Sequence, residues 1–214
     1  MIVLLLFNLV SIAFSASYGV DATKALTGTN VNCLINNYFD GFIILRSWKA
    51  TGVFDSNIVT AYSNVIDKGF ETTGIDTYFS PCYSCGNVAG QVNSMYNSLI
   101  SNSISVNRVW FKLDGTWSSS TSSNQAFFTE MINKGIALGL NTGIFSDRSY
   151  WINKFGESFT YSQTSKVLLW YPNHNNVESF SDFVQFGGWT TPYMKQYTAD
   201  QLLCTSMVSY NYRS

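Results

Sequence analysis

Charge is scarce in this chain. Only 12% of its 214 residues are Asp, Glu, Lys or Arg, and 12 basic residues nearly balance 13 acidic ones. A basic groove for nucleic acid therefore has nothing to build it. Histidine is scarcer still, since His174 is the single one. With no second Cys pair after Cys82-x-x-Cys85, a zinc site lacks ligands, and no metal is expected. Phosphate-binding glycine loops and nucleotide motifs are missing, so no cofactor is implied. No Asn-x-Ser/Thr acceptor occurs, so N-glycosylation is not expected. No apolar run reaches the roughly 20 residues of a membrane span. Internal repeats and charge blocks are absent as well.

What is present begins with Met1 to Ser17, a stretch without charged side chains that carries the apolar run Ile2 to Phe7, is interrupted at Asn8 and Ser11, and leads into small residues. It reads as a secretory signal over residues 1–17, with an Ala-x-Ser cleavage pattern near Ser15. The mature protein is expected to be extracellular and free of the membrane. Residues 18–214 are enough for one domain with a substantial core and too few for two ordinary ones. Cys33, Cys82, Cys85 and Cys204 make an even set, which in a secreted chain favours two disulfides over free thiols. Of the three pairings, Cys82 with Cys85 and Cys33 with Cys204 is favoured, although cross-pairings would tie the same loops. A thiol redox role for Cys82 and Cys85 is the competing use.

Apolar residues recur at helical spacing in Ile58, Ala61, Tyr62, Val65 and Ile66, between an Asp55-Ser56 cap and Gly69. The same period runs through Val92, Met95, Tyr96, Leu99 and Ile100, and again around Phe128, Met131 and Ile132, ending at Lys134-Gly135. Strand-like runs alternate with these helices: 18–21, 42–46, 74–79, 109–113 and 143–145, then 167–171 and 194–197. Such alternation predicts a parallel sheet with helices outside it. The last third is poor in helical pattern and the chain is short for an eight-fold barrel. An irregular TIM-like β/α barrel with missing or rudimentary helices follows.

In such a barrel functional groups gather at the C-terminal ends of strands. Asp21 ends the first run, Asp76 lies in the third, and Lys112 and Asp114 end the fourth, two apart and so on one face. Together they outline a glycosidase cleft. Each also has a structural reading: an Asp at a strand end commonly caps a turn, and Asp76 could pair with Arg46 at the rim. Aromatics reach 16%, pointing to a large core or to sugar-stacking surfaces. Individually Trp110, Trp117, Trp151, Trp170, Tyr171 and Trp189 read as packed.

Five segments then matter together: Tyr18-Gly19-Val20-Asp21, Pro81 to Asn87 (PCYSCGN), Ser122 to Phe128 (SSNQAFF), Leu169-Trp170-Tyr171, and Phe186-Gly187-Gly188-Trp189 with Lys195-Gln196-Tyr197. In order and over nearly the whole mature chain they resemble the family 25 glycoside hydrolases, the lysozymes of nematodes and amoeboid protists. The resemblance implies an irregular β/α barrel that hydrolyses the β-1,4 bond between N-acetylmuramic acid and N-acetylglucosamine in peptidoglycan. It also implies a setting of antibacterial defence or digestion. Family members carry an Asp after the first strand, an Asp-x-Glu pair after the fourth, and a late Asp. Asp21 matches the first. Lys112 stands at the Asp of the pair, Asp114 at the Glu general acid, and Ser209 at the late Asp, so three of four positions are substituted.

Those substitutions weigh on the chemistry. A glycosidase needs a carboxylic acid of raised pKa for the leaving oxygen and a second group for the oxocarbenium-like centre. A neighbouring ammonium opposes the first need at Asp114, and Asp is about one methylene shorter than Glu. The expected enzyme uses Asp21 and Asp114 as catalytic residues. Tyr78 and Trp170 contact sugar, Lys112 meets an anionic substrate group, and a monomer acts on peptidoglycan or a related amino-sugar glycan. The alternative is a catalytically inactive, glycan-binding descendant of a lysozyme.

Overall fold

A computed structural model describes residues 16–214. The expected signal segment thus lies outside the described residues as far as position 15, and Ser17 already belongs to the first strand.

The strands are β1 (Ser17–Ala22), β2 (Phe42–Lys49), β3 (Val53–Phe54), β4 (Ile75–Phe79), β5 (Arg108–Lys112), β6 (Thr142–Phe145), β7 (Leu168–Pro172), β8 (Met194–Leu203) and β9 (Ser206–Arg213). Helices α1 (Gly28–Asn36), α2 (Asn57–Asp67), α3 (Val88–Ser101), α4 (Thr121–Ala137) and α5 (Arg148–Phe155) fill the connections from β1 through β7. β1 pairs with both β2 and β9, so eight strands close in the order β1-β2-β4-β5-β6-β7-β8-β9 and β3 hangs outside on β2. Neighbours from β1 to β8 run parallel; β9 runs against both β8 and β1. The last crossover helices are replaced by a long loop after β7 and a hairpin between β8 and β9.

The helices form where the periodicity placed them. Ile58, Ala61 and Val65 are the buried face of α2. Of the expected Asp55-Ser56 cap, the Ser56 side chain makes no bond, while Asp55 Oδ1 accepts from the Asn57 amide at 3.2 Å. Burying Ile58 and Val65 contributes about 1.5–3 kcal/mol each, more than a cap bond of about 1 kcal/mol. Asp55 is at the same time fully buried, with Arg46 Nε at 2.6 Å and Lys49 Nζ at 3.3 Å from its carboxylate.

Strand alternation sorts the core into two layers. Outward residues of the barrel and the inner faces of the helices make the larger cluster, which includes Val20, Ile43, Leu45, Phe79 and Phe111. Inward residues Phe42, Ile44, Tyr78, Trp110, Phe145, Trp170 and Met194 fill the barrel itself. Gly143 makes room among them: a Cβ there would stand 2.3 Å from the Trp110 ring.

Asp76 is the second residue of β4 and therefore sits at the N-terminal end of the barrel, away from the expected cleft. It accepts from Trp110 Nε1 at 2.9 Å and faces Arg108 Nη1 at 3.8 Å. Arg108 lies over Tyr193 and Arg213 over Phe42, so cations and rings seal this end. Arg46 is committed to Asp55, which rules out the pairing with Asp76 that the sequence allowed.

Both disulfides of the favoured set form, Cys33–Cys204 and Cys82–Cys85. The first joins α1 to the tip of the β8–β9 hairpin, where Cys204 and Thr205 both adopt left-handed backbone with φ of 55° and 60°. Asn30 of α1 supports that turn, its Nδ2 donating to the Cys204 carbonyl and to Thr205 Oγ1.

Candidate active site

At the C-terminal mouth the inward pattern changes from apolar to polar. The strands that supply Phe42, Trp110 and Met194 deeper in the barrel bring Lys112 and Gln196 to the top, and β1 and β9 add Asp21, Ser209 and Asn211. Around them lies a cavity of about 260 Å³ whose wall includes Asp21, Lys112, Asp114, Tyr150, His174 and Ser209.

Asp21 is held from one side only. Gln196 Nε2 and Asn211 Nδ2 both donate to its Oδ1, at 2.8 and 2.9 Å. Both side-chain donors thus converge on one carboxyl oxygen of a residue that borders the cavity. Each amide is fixed from behind. Asn211 Oδ1 accepts from Trp170 Nε1 at 2.9 Å, and Gln196 Oε1 meets His174 Nε2 at 2.8 Å, where the imidazole must be the donor. Burial pushes the Asp21 carboxyl above the usual carboxylate range, while Lys112 and the two amides pull it partway back.

Lys112 rests between the rings of Tyr78 and Phe145, 5.1 and 4.8 Å from their centres. Its ammonium reaches Asp114 Oδ2 at 3.2 Å, and Asp114 is about half exposed, at 49%. Strand β5 stops at Lys112, so Asp114 belongs to the following loop. That loop is tied down by Tyr150, whose hydroxyl donates to the carbonyl of Gly115. Tyr150 is itself placed by α5, which starts at Asp147 with the aspartate side chain accepting from the Tyr150 amide at 2.8 Å.

The loop after β7 carries His174 and is anchored on the buried Lys195. Lys195 Nζ contacts Asp182 Oδ2 at 2.5 Å, Asn175 Oδ1 at 3.0 Å and the Ser179 carbonyl at 3.3 Å. The Tyr171 hydroxyl and the Asn175 amide also donate to Asp182. These bonds hold the Asp182 carboxyl below its ordinary value although burial acts in the opposite sense.

The mouth therefore brings Asp21, Lys112 and Asp114 together. Tyr78 and Trp170 lie in the packed layer beneath it, at 2% and 0% exposure, and neither is on the cavity wall. Ser209 faces Asp21 across the β1–β9 pairing, and its hydroxyl accepts from the Asp200 amide. Gln196, Asn211 and Tyr150 were not singled out from the sequence, and His174 was weighed there only as a metal ligand. Gln196 sat inside a noted segment, Lys195-Gln196-Tyr197; Asn211 had no signal, because its strand was not read.

A family profile described as Lysozyme-like protein 1 matches residues 13–197. The chain belongs to the family 25 lysozymes. Two relatives from Dictyostelium discoideum support this. Probable GH family 25 lysozyme 4 is 34% identical over 186 residues, covering 86% of this chain and 84% of that one. Probable GH family 25 lysozyme 2 is 36% identical over 185 residues, with the same coverage. Among solved structures, a family GH25 lysozyme from Aspergillus fumigatus superposes with a TM-score of 0.72 over 94% of both chains at 11% identity, a likeness of fold alone. Lys112, Asp114 and Ser209, the positions the resemblance marked as departures, all line the cavity that Asp21 also borders.

Proposed function

We propose that the protein is a secreted, extracellular glycosidase that cleaves the β-1,4 bond between N-acetylmuramic acid and N-acetylglucosamine in bacterial peptidoglycan, in defence or digestion. The observation that carries this reading is the pairing of two carboxyl groups in unlike settings at one barrel mouth. Asp21 is buried among neutral amides, and Asp114 is open to solvent beside an ammonium. A glycosidase divides acid and charge-stabilising work between two carboxyls in different environments. The relatives named as lysozymes give the substrate class.

The test is release of soluble fragments and new reducing ends from purified cell wall across acid to neutral pH, with Asp114→Asn beside the wild type. Turnover that disappears in Asp114→Asn supports the reading. A wild type that binds cell wall tightly and releases nothing would show a glycan-binding protein instead.

A further inference from the structure

Strand β8 runs irregularly where it borders the cavity. On the basis of the glycosidase reading above, we infer that Asp200, in that irregular stretch, is a substrate-binding residue. Its carboxylate accepts hydrogen bonds from hydroxyl and acetamido N–H groups of the amino-sugar chain.

The sheet register brings the residue to the site. Gln196 pairs with Asn211, Thr198 with Tyr210 and Gln201 with Val208. Ala199 and Asp200 therefore stand together opposite the single residue Ser209, as a β-bulge within the β8–β9 ladder. Bulges bend a strand, re-aim a side chain and concentrate beside active sites. Asp200 has left-handed backbone here, with φ of 49°. With Ala199 it lines the same cavity as Asp21, Lys112 and Asp114.

Ser209 holds the bulge in place. The extra residue of a bulge loses its ladder partner, and the Asp200 N–H donates instead to Ser209 Oγ at 3.2 Å. Ser209 is also the position at which the resemblance expects an aspartate. The hydroxyl found there fixes the backbone of a neighbouring aspartate, so this side of the cavity keeps an acidic side chain, on β8 and not on β9.

Four aspartates line the cavity, and three are engaged within the protein. Asp21 accepts from Gln196 and Asn211, Asp114 meets Lys112, and Asp147 accepts from the Tyr150 amide at the start of α5. Asp200 is exposed, and among the described residues its carboxylate has neither an ion pair nor a hydrogen bond. A carboxylate with both oxygens free takes two donors at once, and adjacent hydroxyls, or a hydroxyl beside an acetamido N–H, present such a pair. Glycine would adopt the same backbone without strain; the carboxylate is what aspartate adds at this point.

The test is isothermal titration of wild type, Asp200→Asn and Asp200→Gly with the tetrasaccharide of alternating N-acetylglucosamine and N-acetylmuramic acid. Asparagine and glycine both suit a left-handed backbone, so Tm separates an effect on folding from one on binding. Asp200→Gly is expected to bind about tenfold or more weakly, the worth of a hydrogen bond to a charged group. Asp200→Asn, which keeps one acceptor, should fall between it and wild type. Tm should stay at the wild-type value or, in the glycine variant, rise. Wild-type affinity in either variant, or weaker binding only where Tm also falls, gives Asp200 a purely structural place and overturns the inference, while the glycosidase reading stands. A wild type that binds neither the tetrasaccharide nor purified cell wall overturns the reading and the inference together.

Discussion

Trp170 Nε1 donates to Asn211 Oδ1, and that single bond decides that the Asn211 amide nitrogen, and not its oxygen, faces Asp21. A tryptophan buried in the barrel core thereby sets the chemistry of a carboxyl one layer above it. Asn211→Leu removes a donor from Asp21 and strands the indole N–H. An unfilled buried donor costs about 1–3 kcal/mol, which urea unfolding will register. The Asp21 carboxyl should also titrate higher, since a bond to its charged form is gone.

Lys112→Met keeps the packing over Tyr78 and Phe145 and deletes the charge. Lys112 is the cation that lowers the Asp21 carboxyl against burial, so its loss raises that carboxyl further. A carboxyl carbon NMR titration should therefore show Asp21 losing its proton at higher pH in this variant than in wild type; an unchanged titration would separate Lys112 from Asp21.

Asp76 offers a test in stability. Burial raises its carboxyl above the ordinary 3.8, with Trp110 and Arg108 opposing. Between the unfolded and folded values the folded chain binds more protons than the unfolded one. Its contribution is therefore full below about pH 3.8 and is lost as the pH rises through the folded value. Asp76→Asn does not titrate. Its stability relative to wild type should improve from pH 4 to pH 7, by about 1.4 kcal/mol for each tenfold increase in proton affinity that burial produces. Thermal or urea unfolding at the two pH values measures this; a difference independent of pH would refute it.

The disulfides should separate in magnitude. Cys33–Cys204 spans 171 residues and Cys82–Cys85 spans 3. By the loop-closure relation the longer bridge stabilises more by about 3–4 kcal/mol. Replacing Cys33 and Cys204 by serine should lower Tm far more than the same change at Cys82 and Cys85.

Gly143→Ala drives a methyl into Trp110. Overpacking of a filled core costs about 1–3 kcal/mol, so calorimetry should show a clear loss of Tm from this one added carbon.

The parallel strands and the three longer helices were legible because their burial is one-sided and follows the 2.0 and 3.6 periods. β9 was not. Its inward residues Ser209, Asn211 and Arg213 are polar, because they line the site and the sealed end of the barrel, so the expected apolar alternation is missing. The turn before it carries Cys204 and Thr205 in left-handed conformation where glycine or asparagine would have signalled a hairpin. Asp21, Lys112 and Asp114 were visible as charges at strand ends. Their unequal environments depend on Gln196, Asn211 and Trp170, which lie far away along the chain. Asp76 misled, since strand position alone does not say which end of a barrel a residue reaches when the strand start is uncertain by one or two positions.

Asp21 is bonded to residues 175 and 190 positions further along the chain. Those bonds exist only after β9 has docked between β8 and β1. Barrel closure and completion of the Asp21 site are thus one event, and contacts of such sequence separation make refolding slow. During refolding, hydrolytic activity should return with the last kinetic phase, well after helical circular dichroism, and the Cys33–Cys204 bridge should hasten it by pre-joining the two ends of the ring.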